Sequence, residues 1–128
     1  MKSLLLIDDE SDFLEVLSNS FKLLSRQFLV VGSTDGQDAH RRSLNQQFDL
    51  ICTDFRMPKL NGAQLILAIR AGPFHAKTPI IVLSGHIEEA QDECRKLGID
   101  KNLIYVSKPV VMKKLVETIN QALNAKKP

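Results

Sequence analysis

Five short apolar runs recur along the chain: Leu4–Ile7, Phe28–Val31, Leu50–Cys52, Ile80–Leu83 and Leu103–Val106. Each is near-continuously apolar rather than alternating, and each contains a β-branched residue. Strands read this way when both faces of a parallel sheet are covered. Helical spacing fills the gaps. Phe13, Leu17, Phe21 and Leu24 share one helix face, and Ala63, Ile66, Leu67 and Ile69 suggest a helix opening near Gly62. Ile87, Ala90, Cys94 and Leu97 form a third stripe, with Gly98 placed to stop the helix. Met112, Leu115, Ile119 and Ala122 form the last. The segment Gly36–Gln47 is the faintest helix, with only Ala39 and Leu44 as its apolar face. A β-α unit repeated five times predicts right-handed crossovers and a doubly wound, five-stranded parallel sheet of the α/β class.

Composition narrows the function classes. At 44% hydrophobic and 25% charged residues, the 128-residue chain is ordinary for one globular domain and unlike a disordered one. No apolar run approaches the roughly 20 residues needed to span a bilayer, and Asp8-Asp9-Glu10 ends the N-terminal apolar run too early for a signal peptide. The net charge of +2 gives no reason to expect direct nucleic-acid binding. That sum conceals a split: residues 1–107 are net −2, and residues 108–128, with five lysines and one glutamate, are net +4. Cys52 and Cys94 sit in apolar patterns and read as buried free thiols, and His40, His75 and His86 lack zinc-ligand spacing. These features predict a reducing, cytoplasmic compartment and no membrane association.

In open α/β sheets ligands bind beyond the carboxyl ends of the strands. The five strands end in Asp8-Asp9-Glu10, Ser33-Thr34-Asp35-Gly36, Thr53-Asp54, Ser84-Gly85 and Ser107-Lys108-Pro109. Each has a plain explanation when taken alone. Acidic residues suit the first turn of a helix, an Asp after a strand commonly opens a turn, Ser84 could cap a helix, and Lys108 could be a solvated lysine. If the first and third strands are neighbours, however, Asp8, Asp9 and Asp54 converge. Clustered, desolvated carboxylates are unfavourable, and a divalent cation with all-oxygen ligation, Mg²⁺ or Mn²⁺, relieves that repulsion. With Lys108 and the Ser84 hydroxyl at the same edge, these are the parts of a phosphoryl-transfer site. Asp54, alone at the end of the central strand, is the best nucleophile.

These motifs together resemble the receiver domain of two-component response regulators, of the chemotaxis-regulator type. They are Leu5-Leu6-Ile7-Asp8-Asp9-Glu10, then Asp49 through Pro58, Asn61-Gly62, Thr78 through Gly85, and Tyr105-Val106-Ser107-Lys108-Pro109. The resemblance implies a flavodoxin-like (βα)5 fold with strand order 2-1-3-4-5. It implies that Asp54 is the phosphoacceptor, supplied by a histidine kinase or a histidine phosphotransfer protein. Asp8, Asp9, Asp54 and the backbone carbonyl of Arg56 would hold Mg²⁺. Lys108 and Ser84 would contact the phosphoryl group, and Ser84 and Tyr105 would move together as the switch. Arg56 and His86 would occupy rim positions that tune phosphoryl loss, and the Lys108–Pro109 bond would be cis. Val110 departs from the aromatic residue common after Lys-Pro. The ten-residue spacing from Gly98 to Lys108 implies a longer connection before the fifth strand.

The expected function is a phosphorylation-activated switch that changes its surface for a downstream protein, not an enzyme acting on other substrates. The domain would occupy residues 1–124, with a frayed basic tail at 125–128 and no room for an effector. Two other readings compete with it. A Mg²⁺-dependent phosphohydrolase of the haloacid dehalogenase type would want an Asp-x-Asp pair after the first strand, where this chain has Glu10. A phosphorylation-independent binding module would not need Asp8, Asp9, Asp54, Ser84 and Lys108 together.

Overall fold

The parallel pairing of every apolar run with its neighbours organises the molecule. The structure is a computed structural model that describes residues 2–24, 28–57 and 60–124, without the side chains of Leu24 and Leu60. Pro58 and the 125–128 tail therefore lie outside the described residues. Strands β1 (Lys2–Ile7), β2 (Phe28–Ser33), β3 (Leu50–Asp54), β4 (Ile80–Ser84) and β5 (Leu103–Ser107) alternate with helices α1 (Ser11–Leu24), α2 (Gly36–Asn45), α3 (Gly62–Ala71), α4 (Ile87–Lys96) and α5 (Met112–Asn124). All adjacent strands are parallel, in the order β2-β1-β3-β4-β5. A short antiparallel ribbon pairs Arg56–Met57 with Leu60–Asn61 between β3 and α3.

Successive residues of a strand point to opposite faces, so a strand covered on both sides must be apolar throughout. Leu5, Ile7, Ile51, Ile80 and Val82 pack in one core with Ala39 of α2, Ile66 and Ile69 of α3, and Ala90 and Cys94 of α4. Leu4, Leu6, Leu50, Cys52, Ile81 and Leu83 pack in the other with Leu17 and Phe21 of α1 and Leu115 and Ile119 of α5. Every residue of β3 and β4 is buried, whereas the edge strands β2 and β5 are mostly half-buried. Both cysteines are buried free thiols, as their apolar surroundings predict.

Three leucines assigned to helix stripes face outward instead: Leu44, Leu67 and Leu97 are each 40% exposed. In α3 the buried set is Gly62, Ala63, Leu65, Ile66 and Ile69, a stripe that leaves Leu67 on the far side. In α2 the buried residues are Gly36, Ala39 and Ser43, so Leu44 is rotated away; the helix also ends at Asn45 rather than Gln47. Leu97 is the C-cap of α4, beyond its last turn. There Gly98, at φ 71°, donates to Arg95 O at 3.0 Å, and Ile99 N–H donates to Cys94 O at 3.0 Å. This pair of bonds is the Schellman stop that the glycine predicts. The connection to β5 then turns through Asn102, at φ 58°.

The amino ends of the strands are closed by polar side chains. The Arg70 guanidinium donates to the carbonyls of His75, Thr78, Lys101 and Asn102. His75, fully buried, contacts the Gln46 carbonyl through Nε2 at 3.0 Å and the Thr78 hydroxyl through Nδ1 at 2.9 Å. Burial lowers its pKa, which favours the neutral ring.

Asn61 and Gly62 begin α3 for two separate reasons. The Asn61 side-chain oxygen accepts from Ala63 N–H at 2.8 Å and from Gln64 N–H at 3.4 Å, capping the helix. A Cβ on Gly62 would collide with the Phe55 carbonyl and approach its ring Cδ1 to 2.8 Å. Gly62→Ala is therefore expected to destabilise the fold by about 1 to 3 kcal/mol in urea unfolding. Gly32→Ala, whose Cβ would meet only Leu14 Cδ1 at an ordinary 3.6 Å, should change stability by less than the Gly62 variant.

On α2, Asp38 accepts from Arg41, Arg42 and the Ser33 hydroxyl at 2.8 to 2.9 Å. The Arg42, Ser33 and Arg41 hydrogen bonds hold its carboxyl down at about 2. A depressed carboxylate stabilises the fold above the unfolded pKa of about 4 and loses that contribution as pH falls toward the folded value. After allowance for the exposed arginines, Asp38→Asn should cost about 1 kcal/mol at neutral pH. The difference from the parent should shrink on titration below about pH 4, measured by chemical denaturation.

Candidate functional site

The carboxyl ends of β1, β3, β4 and β5 open onto one edge of the sheet, where Asp8, Asp9, Asp54 and Lys108 come together. The first loop begins before α1, not inside it. Asp8 N–H donates to Ser33 O at 3.0 Å, and Asp8 Oδ1 accepts from Glu10 N–H at 2.9 Å. The helix starts at Ser11. Asp8 and Asp9 are thus loop residues, and the plain first-turn explanation for them does not hold. β1 pairs with β3, matching Ile7 to Thr53, which sets Asp54 beside them.

One carboxylate oxygen from each of Asp8, Asp9 and Asp54 lies within 4.8 Å of the others. Asp8 and Asp54 are each 4% exposed, and Asp9 is exposed. Burial is the main reason the Asp8 carboxyl is raised to about 6, opposed by the Glu10 backbone bond and reinforced by the charge of Asp54. The donors are all carboxylate oxygens, which suits a hard divalent cation. The cluster could hold such an ion, and its concentrated negative charge would favour one.

Lys108 supplies the one cation of the cluster among the described residues. Its Nζ lies 2.8 Å from Asp54 Oδ1. Burial works against the ammonium, yet the Asp54 hydrogen bond and the charges of Asp54, Asp8 and Glu10 raise its pKa overall. Lys108 N–H also donates to Ser84 O at 2.9 Å, and the Lys108–Pro109 peptide is cis, as the motif predicts.

Ser84 ends β4 one residue past Leu83, the register partner of Asp54. It is buried, and its Oγ accepts from His86 N–H at 2.9 Å. Ser84 is not the N-cap of α4. His86 holds that position, exposed and without a side-chain capping bond. Arg56 begins the ribbon after β3, and its side chain leaves the carboxylates to pair with Glu89 of α4 at 2.9 Å. Tyr105 pairs with Val82 in register and packs on the α3/α4 side of the sheet, away from the cluster. Its hydroxyl is enclosed beside the Cys94 thiol, and burial first, then that thiol, raise its pKa.

The predicted residues divide accordingly. Asp8, Asp9, Asp54 and Lys108 come together directly; Ser84 and the Arg56 backbone lie on adjoining segments; Tyr105 and the His86 and Arg56 side chains do not join the cluster. Sequence reading missed Glu89 and Glu93, whose partners, Arg56 and Asn61, lie 33 and 32 residues away. Acidic residues in a helix carry no sign of a long-range partner.

Known proteins resemble the chain in sequence and in fold. The family profile described as the response regulator receiver domain matches residues 4–120. The transcriptional regulatory protein PrrA of Mycobacterium tuberculosis is 31% identical over 120 residues, covering 93% of this chain and 48% of PrrA. The virulence sensor protein BvgS of Bordetella bronchiseptica is 31% identical over 125 residues, covering 92% of this chain and 10% of BvgS. The chain thus spans about half or less of the length of these curated relatives. Among solved structures, the Vibrio cholerae chemotaxis response regulator CheY4 superposes with a TM-score of 0.82 at 23% identity, covering 95% of this chain and 98% of CheY4. The receiver domain of the Pseudomonas aeruginosa sensor histidine kinase PA1611, solved with magnesium in its active-site cleft, gives 0.80 at 26% identity, covering 97% of this chain and 98% of that one. With the family profile spanning nearly all of the sequence and the strand order agreeing, the chain belongs to the response regulator receiver domains of two-component systems.

Proposed function

We propose that Asp54 accepts a phosphoryl group from a phosphohistidine on a kinase or phosphotransfer protein, and that the domain acts as a switch rather than as an enzyme on other substrates. The observation that carries this reading is the buried Asp54 carboxylate, held 2.8 Å from the Lys108 ammonium and within 4.8 Å of Asp8 and Asp9. In the reaction an Asp54 oxygen attacks phosphorus, the bond from phosphorus to the donor imidazole nitrogen breaks, and that nitrogen keeps the electron pair and is protonated. Lys108 orients the Asp54 carboxylate beforehand and afterwards pairs with the added phosphoryl oxygens. Ser84 donates its hydroxyl proton to a phosphoryl oxygen. Asp8, Asp9, Asp54 and the Arg56 carbonyl would hold Mg²⁺, or Mn²⁺. When bound, the cation offsets the carboxylate charge and the charge developing on the phosphoryl oxygens.

Several features support the switch. The groups that would stabilise a phosphoryl group sit at the ends of β4 and β5, and Tyr105 packs from β5 against the core that α4 also lines. A movement of Ser84 toward Asp54 would withdraw the acceptor from His86 N–H and loosen the start of α4. The altered surface would be formed by α4, β5 and α5 and read by a downstream protein. No described helix is long and apolar enough to cross a membrane. A cytoplasmic setting agrees with a kinase donor and with two free thiols.

Incubation with acetyl phosphate and Mg²⁺ should add one phosphoryl mass to the parent, seen by intact-protein mass spectrometry, and none to Asp54→Asn. Undiminished labelling of the variant would overturn the assignment. A second outcome concerns charge. Because the folded state disfavours the Asp8 carboxylate, Asp8→Asn should stabilise the chelator-treated protein by about 1 to 2 kcal/mol. Added Mg²⁺ should raise the thermal midpoint of the parent and leave that of Asp8→Asn nearly unmoved.

A further inference from the structure

Helix α4 is fastened to the site by polar ties. Arg56 Nη2 donates to Glu89 Oε2 at 2.9 Å, and Asn61 Nδ2 donates to Glu93 Oε1 at 3.2 Å. Residues 89 and 93 are one helical turn apart, so a single face of α4 meets the 56–61 ribbon. A third tie is the 2.9 Å bond from His86 N–H to Ser84 Oγ. The apolar anchorage of α4 is small by comparison: it fully buries only Ala90 and Cys94, and its N-cap makes no side-chain bond.

Two of these ties come from segments that adjoin Asp54. Arg56 follows it by two residues, and Ser84 ends the neighbouring strand. A guanidinium donates to phosphoryl oxygens as readily as to a carboxylate, and a phosphoryl group carries more charge than Glu89 does. The Arg56–Glu89 pair is exposed, with side chains at 60% and 63%, so little holds it against a stronger competitor.

We propose that Glu89 is a positioning residue for Arg56: in the unphosphorylated domain it holds the guanidinium on α4, and on phosphorylation Arg56 leaves it for the phosphoryl oxygens and frees the first turn of α4. This rests on the phosphoacceptor reading of Asp54. No covalent bond changes; one charge-assisted hydrogen bond replaces another. Affinity for the phosphoryl group and release of α4 are then two readings of one coupling, and each must change with the other.

The test uses beryllofluoride with Mg²⁺ as the phosphoryl mimic. Binding is followed by calorimetry, and hydrogen exchange is followed across residues 86–93. Without the mimic, Glu89→Gln should exchange about two- to fivefold faster than the parent in this segment, the range expected for losing one exposed ion pair. With the mimic bound, the two should exchange alike. Glu89→Gln should also bind the mimic about two- to fivefold more tightly, because Arg56 no longer has to leave a partner. In an Arg56→Gln background the same change should have no effect. The exchanged pair Arg56→Glu with Glu89→Arg should restore slow exchange in the free protein yet bind the mimic more weakly than the parent, because no guanidinium then follows Asp54. Binding of the mimic with equal affinity in the parent and Glu89→Gln, or with α4 exchange unchanged, would overturn this inference alone. Failure of the parent to bind the mimic at all would overturn the phosphoacceptor reading and this inference with it.

Discussion

Three carboxylates cannot share a partly desolvated edge unless positive charge is close, and the layout of the site follows from that constraint. Asp8 and Asp54 are buried, and Asp9 adds a third charge within 4.8 Å. Lys108 answers part of it from the end of β5, two strands away from Asp54 in the sheet. The sheet order β2-β1-β3-β4-β5 is what makes this possible, because it brings the ends of β1 and β3 side by side and carries the β5 loop back over β4 through the Lys108 N–H to Ser84 carbonyl bond. The raised pKa of Asp8 comes first from its burial, and the neighbouring Asp54 charge adds to it.

The two ends of the sheet solve different problems. At the amino ends, Arg70 and His75 bond to loop carbonyls and tie the loops together. At the carboxyl ends, carboxylates face one another with too little positive charge. The same parallel architecture produces both, because parallel strands deliver all their carboxyl ends to one side. Close packing serves the second end too. Gly62 lets the Phe55 backbone lie against the start of α3, and that fixes the chain immediately after Asp54.

Much of this was legible in the sequence, for identifiable reasons. Strands buried on both faces must be apolar at every position, so β1, β3 and β4 announced themselves, and Asp8, Asp9, Asp54, Ser84 and Lys108 were found by asking what ends each run. Helix phase was harder. Leu44 and Leu67 fit a period of 3.6 as well as their buried neighbours do, and only packing against a particular strand decides between them. Leu97 belongs to a cap that has already left the helix. His75 gave no signal, because its partners are a distant carbonyl and a hydroxyl. Glu89 and Glu93 carry no mark of a partner in the sequence. Their partners depend on where the ribbon after β3 lies, which is a property of the folded chain.

The contrast among helices bears on how a single added charge could be felt at a distance. Helices α1, α3 and α5 bury large side chains, including Phe21, Ile66 and Ile119. Each such side chain is worth about 1.5 to 3 kcal/mol. Helix α4 fully buries only an alanine and a cysteine and relies on exposed hydrogen bonds to Arg56 and Asn61, of which an ion pair contributes about 0.2 to 1 kcal/mol. A new dianion beside Asp54 can outbid contacts of that size but not an apolar stripe. Helix α2 buries residues just as small, so under the proposed switch α4 would respond because its weak anchorage is combined with ties to Arg56 and Ser84, beside Asp54. Under the proposed switch, strengthening the α4 core, for instance at Ala90, would leave the carboxylate cluster intact while weakening its coupling to the α4 surface.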